Sequence, residues 1–256
     1  MLAPVAAVAL GVWVWWETRL TRLRRHPMVH MGLFKIPSFT IGTANVAFYL
    51  GGMTSIWAVV AIFAQQGLGE SALVAGLLGL PSAIFVMIAS PILGRFAYSH
   101  GKPLVVIGTI ISLIALGVST LLAPGIAAGD YSVWWLSLTT APIGIGQAMV
   151  LNISQTLLMS EVPVHLAGAA GGFSQTVQRV FTALGLMFIT GLFFVTYNST
   201  GDWGQALKWA FMLTIGFWVI NAILSLFDLL ARPRIATQSR LPQLDDAEGI
   251  GAPPAP

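Results

Sequence analysis

Arg179 is the side chain that most needs a chemical explanation, because residues 162–178 before it and 180–201 after it contain no Asp, Glu, Lys or Arg. A guanidinium set that deep in apolar chain requires water, a counter-charge or backbone oxygens around it, and such residues mark functional sites by default. Gly168, Gly172 and Gln175 precede it at spacings of four, three and four, so the four residues share one face of a helix. Small and polar groups on one face fit contact with protein or a water-filled cavity better than contact with lipid. Two chemistries follow for Arg179: binding a polar ligand or an acid from elsewhere inside the cavity, or snorkelling to headgroups if it lies nearer the interface.

Uncharged hydrogen-bonding groups supply the rest of a polar pathway: Asn45, Tyr49, Gln147, Asn152, Gln155 and Asn221 all fall inside apolar runs. Interhelical hydrogen bonds are the competing use for them, worth about 1 kcal/mol each. Carboxylates are missing at mid-depth, since Glu17, Glu70, Asp130, Glu161 and Asp202 fall at the edges of the runs. Asp228 stands near the end of the last run, and Arg232 four residues on is its expected partner in an end-of-helix ion pair. The chain has no cysteine, and its four histidines lack metal-ligand spacing, so thiolate chemistry, disulfides and metal or other cofactors are not expected. Phe39, Phe48, Trp57, Phe85 and Met87 offer soft apolar surface, for a ligand cavity or for lipid.

The elements that position these residues are set by composition: 256 residues, 56% hydrophobic and 8% charged. Water is the wrong solvent for such a chain. Stretches 36–69, 71–94, 103–129, 131–160, 180–201 and 209–227 are each free of charge, and about 20 apolar residues suffice to cross hydrocarbon. Backbone groups in lipid must be satisfied internally, so these runs, which do not alternate, are helices. Helices are predicted near 2–17, 38–65, 71–95, 104–124, 132–157, 166–196 and 206–230, giving an all-α integral membrane fold of about seven spans. Gly76, Gly79, Gly144 and Gly146 are expected to permit close helix approach, and Pro81 and Pro91 to bend the third helix, either as gating elements or as ordinary packing.

Cation placement predicts the orientation. Arg19, Arg22, Arg24, Arg25 and Lys35 follow the first helix, Arg95 and Lys102 the third, and Arg232, Arg234 and Arg240 the seventh. The positive-inside rule puts these segments in the cytoplasm, with the N-terminus outside and the C-terminus inside. Charges that follow rather than precede the first apolar stretch argue for a signal anchor rather than a cleaved leader. The net charge of +3 is accounted for by loop cations, so no nucleic-acid partner is expected. Setting the first helix aside leaves two triplets of opposite orientation, an arrangement typical of inverted repeats. Three segments result: a connector helix and basic loop at 1–36, a six-helix unit at 37–231, and a tail at 232–256 too poor in apolar residues to fold alone.

Longer motifs carry a family resemblance. WWETRLTRLRRHPMVHMGLFKIPSFTIG at 15–42 resembles the segment joining the eighth and ninth helices of fourteen-helix drug/proton antiporters of the major facilitator superfamily. SALVAGLLGLPSAIFVMIASPILGRFAYSHGK at 71–102 is similar to that family's tenth helix and inner loop, with Gly94, Arg95, Gly101 and Lys102 at the loop-motif positions. IGIGQAMVLN at 143–152 and EVPVHLAGAAGGFSQTVQR at 161–179 continue the match. Three departures stand out: Tyr98 occupies the place of an acidic residue, Gln178 and Arg179 displace the family's charge by one position, and the chain opens at what resembles the eighth helix. The displacement is about 100° around a helix.

The resemblance implies a six-helix transporter half plus one preceding connector helix, in a bacterial inner membrane. It implies export of amphipathic drugs or other small molecules against proton entry by alternating access, without enzymatic activity. Arg179, Gln175, Gln147, Asn152 and Asn45 are then the substrate-pathway candidates, and Gly76, Gly79, Pro81, Gly144, Gly146, Gly168 and Gly172 the packing or gating positions. The partners expected are the lipid bilayer, an N-terminal transporter half that is a separate chain or absent, protons and a small-molecule substrate. Two rival expectations are a split or truncated fragment inactive alone, and a seven-helix receptor or assembly factor.

Overall fold

The computed structural model describes residues 31–231, and every long element in it is helical. Six helices are long and apolar enough to span a membrane: α1 (Pro37–Gly67), α2 (Ala72–Gly94), α3 (His100–Ala128), α4 (Trp134–Ser160), α5 (Ala167–Thr200) and α6 (Trp203–Leu230). These match the second to seventh predicted spans. The predicted first span and the tail at 232–256 lie outside the described residues, as does the 1–36 segment up to residue 30; its last residues include a short 3-10 helix at Met31–Lys35.

Helix ends follow local chemistry. Pro37 begins α1, where its missing N–H removes a donor that would have no partner. The Ser71 side chain accepts from the Val74 N–H to cap α2, and the Asp202 carboxylate accepts from the N–H groups of Gly204 and Gln205 to cap α6. Gly129 and Gly201 take left-handed backbone angles that close α3 and α5. Breaks within spans are equally local. The helix of α2 stops after Leu77 and restarts at Leu80 because Pro81 has no N–H to continue the ladder. Ser137 of α4 donates to the Leu78 carbonyl at this break, at 2.9 Å. Pro91 does not interrupt the helix. Lys102, predicted in a loop, sits in the first turn of α3 because the helix begins before Pro103, with His100 at the kink.

Glycines set several of the helix crossings. A side chain at Gly144 would run into the Ser82 carbonyl of α2, one at Gly146 into Ser112 of α3, and one at Gly185 of α5 into the Gly51 carbonyl of α1. Gly144 and Gly146 therefore stand where α4 approaches α2 and α3 closely. At Gly76 no described residue beyond its own helix comes within 4 Å of a built Cβ, and at Gly79 the nearest atoms are the Trp57 ring at 3.4 Å and the Gly76 carbonyl at 3.7 Å.

Burial repeats along the chain. Within their most apolar windows, α1, α2 and α3 are 61%, 22% and 44% buried, and α4, α5 and α6 are 61%, 22% and 33% buried. The first helix of each triplet is thus the most buried and the middle one the least.

Candidate functional site

Two polar features stand out among the apolar helices, one turned outward and one inward. The outward feature is the α5 stripe. Gly168, Gly172, Gln175 and Arg179 are all exposed, while Ala170, Ser174, Gln178, Gly185, Ile189 and Phe193 of the same helix are buried. No described residue approaches within 4 Å of a Cβ built at Gly168 or Gly172. The helix is about 51 Å long, and Arg179 lies about 7 Å from its midpoint at 1.5 Å per residue. Its neighbour Gln178 takes the inward role, accepting from Gln155 of α4 at 3.2 Å and donating to Ser174 at 3.0 Å.

The inward feature is a seam joining α1, α3 and α6. Tyr49 is fully buried, its hydroxyl 2.9 Å from Ser112 of α3, its carbonyl accepting from the Trp218 indole at 3.1 Å, and its ring stacked on that indole. One turn along, Asn221 of α6 donates to the Asn45 carbonyl at 2.6 Å and accepts from Thr109 of α3 at 2.8 Å. At the end of the seam Lys102 donates to the Asp228 carboxylate at 3.1 Å and to its carbonyl at 3.0 Å. Seam residues recur every three, four or seven positions on each helix, so each helix offers one polar line to the same axis. Among the described residues the Asp228 partner is thus Lys102 of another helix; the expected partner Arg232 lies outside them.

The predicted pathway residues divide between these features. Asn45 belongs to the buried seam, while Gln175 and Arg179 lie on the open stripe. Asn152 is exposed and donates to Ser90 of α2 at 2.9 Å, and Gln147 is half-buried on α4. At the inner-loop positions, Gly94 and Arg95 are exposed, whereas Gly101 is buried against Ile153 and Leu157 of α4. Phe39 is core, in contact with Phe173, while Met87 and Phe85 are exposed on α2. Sequence reasoning missed Lys102, Thr109, Ser112 and Trp218 as seam members. Their regular spacing was the available signal, but it shows only when the three helices are known to be neighbours.

Six apolar helices enclosing a hydrogen-bonded seam and carrying an uncovered polar stripe define a polytopic integral membrane protein. The chain belongs to the Major Facilitator Superfamily, whose family model matches residues 1–186. Among curated proteins it is similar to the lincomycin resistance protein LmrB of Listeria innocua, 29% identical over 71% of this chain and 37% of that protein. It is also similar to the probable actinorhodin transporter of Streptomyces coelicolor, 26% identical over 74% of this chain and 32% of that protein. The tetracenomycin C resistance and export protein of Streptomyces glaucescens is 28% identical over 66% of this chain and 30% of its own length. The chain spans about a third of the length of these relatives.

Proposed function

We propose that residues 37–231 form one six-helix half of an exporter of amphipathic small molecules, of the fourteen-helix drug/proton antiporter type. In this reading residues 1–36 are the connector and 232–256 a cytoplasmic tail. The observation that carries the proposal is the uncovered α5 stripe. A cation and an amide on a lane cleared by two glycines are costly against lipid, and they suit a water-filled cavity shared with a second bundle on the same or another chain. Export names among the relatives support the direction of transport, and the repeat of two three-helix units suits alternating access by rocking of two halves.

Within this scheme Arg179 and Gln175 line the cavity. Asn45 and its seam partners brace the half that moves as a body, and the basic end of the bundle, with Lys35, Arg95 and Lys102, faces the cytoplasm. Proton coupling then depends on acids of the second bundle, because no carboxylate in 37–231 lies at mid-depth. The test is efflux of an amphipathic cationic dye from vesicles holding the chain with a partner bundle. Efflux that stops when a protonophore collapses the gradient is expected. Efflux indifferent to the gradient overturns the antiport reading, and full activity from this chain alone overturns the need for a second bundle.

A further inference from the structure

At the Lys102 end of the bundle, four helix ends enclose a cavity of about 40 Å³, with Ser38 and Asn45 from α1, Lys102 from α3, Ser154 from α4, and Ser225 and Asp228 from α6 among its lining residues. Asn45 is 5% exposed and Ser154 3%, yet the Asn45 Oδ1 and the Ser154 Oγ have no hydrogen-bond partner among the described residues. The other lining groups are already engaged. Ser225 donates to the Asn221 carbonyl, Ser38 to the Glu161 carboxylate, and Lys102 to Asp228.

We infer that this chamber binds ordered water, which hydrogen-bonds the Asn45 Oδ1 and the Ser154 Oγ and keeps the Lys102–Asp228 pair hydrated from within the bundle. Size, polarity and need all point the same way. A buried water requires about 10–15 Å³ and two to four polar partners, and the chamber exceeds the first and offers the second. Buried oxygens left without a partner are destabilising, and bridging water is the usual remedy. Charge favours water over a metal or other small cation, because Lys102 already neutralises Asp228 and a second cation would leave net positive charge in a partly enclosed space. The seam beyond Asn45 is closed by the Asn221, Thr109 and Tyr49 hydrogen bonds, so the water stops there instead of continuing through the bundle.

X-ray radiolytic labelling of the full chain in lipid nanodiscs, read by mass spectrometry, tests this, because hydroxyl radicals made from a bound water modify the side chains beside it. Val105 lines the chamber and is 3% exposed; Val150, which does not line it, is also buried, at 0%. Val105 is expected to be modified severalfold faster than Val150, and its label should take up oxygen-18 slowly after mixing with heavy-oxygen water. Equal rates for the two valines overturn the proposal. Ser154→Val, which fills the space and removes one orphan oxygen, should bring the Val105 rate down to that of Val150. Fast Val105 labelling whose oxygen exchanges as quickly as bulk solvent also overturns it, since that marks an open mouth rather than bound water.

Discussion

Lys102 and Asp228 meet at 3.1 Å across 126 residues of chain, and the same ammonium also reaches the Asp228 carbonyl, so one side chain fastens the start of α3 to the end of α6. The two side chains are only 20% and 17% exposed. Breaking one partner should therefore cost more than at a surface pair and less than at a fully buried one, about 1–3 kcal/mol. Lys102→Met and Asp228→Leu are each expected to lower the unfolding temperature in nanodiscs, and the double variant to recover part of the loss. Additive losses would show that the two residues do not interact.

Asn221 holds three helices through one amide, bonding the Asn45 carbonyl and the Thr109 hydroxyl. Hydrogen bonds between membrane helices are worth about 0.6 kcal/mol on average and up to about 1.7. Asn221→Leu breaks two at once and leaves buried groups unpaired, so a loss of about 1–3 kcal/mol is expected from chemical unfolding in mixed micelles.

Two glycines of α5 should respond in opposite ways to alanine. Gly185 abuts the Gly51 carbonyl, so Gly185→Ala must push α1 and α5 apart, at about 1–3 kcal/mol. Gly172 faces open space, and Gly172→Ala is expected to leave stability within about 0.5 kcal/mol of the starting protein. Thermal melts of the two variants side by side make the comparison.

Arg179 should matter through its charge if its stripe faces a cavity. Arg179→Lys keeps a compact cation without the planar fork, so partial efflux is expected to remain. Arg179→Met should remove most efflux at unchanged membrane abundance. Equal efflux by Arg179→Met and the unmodified protein would return Arg179 to the snorkelling role.

The absence of cysteine makes orientation directly measurable. Single cysteines at position 99, between α2 and α3, and at position 132, between α3 and α4, are expected to react with impermeant maleimide from the cytoplasmic and the external side respectively. Reversed labelling would invert the topology.

The positions of the six described spans were legible because membrane insertion depends on one-dimensional quantities, the length of apolar chain and the places where charge interrupts it. The stripe on α5 was legible for the same reason, since residues four and three apart share a face wherever the helix sits. Which stripes meet is a different kind of fact. Gly76 and Gly146 look alike in sequence, yet one faces open space and the other abuts Ser112. Asp228 meets Lys102, 126 residues away in sequence, which no spacing along α6 announces. Helix periodicity assigns each residue a direction relative to its own axis, and only tertiary packing assigns that axis its neighbours. The seam of Asn45, Tyr49, Lys102, Thr109, Ser112, Trp218, Asn221 and Asp228 exists only where three such directions converge.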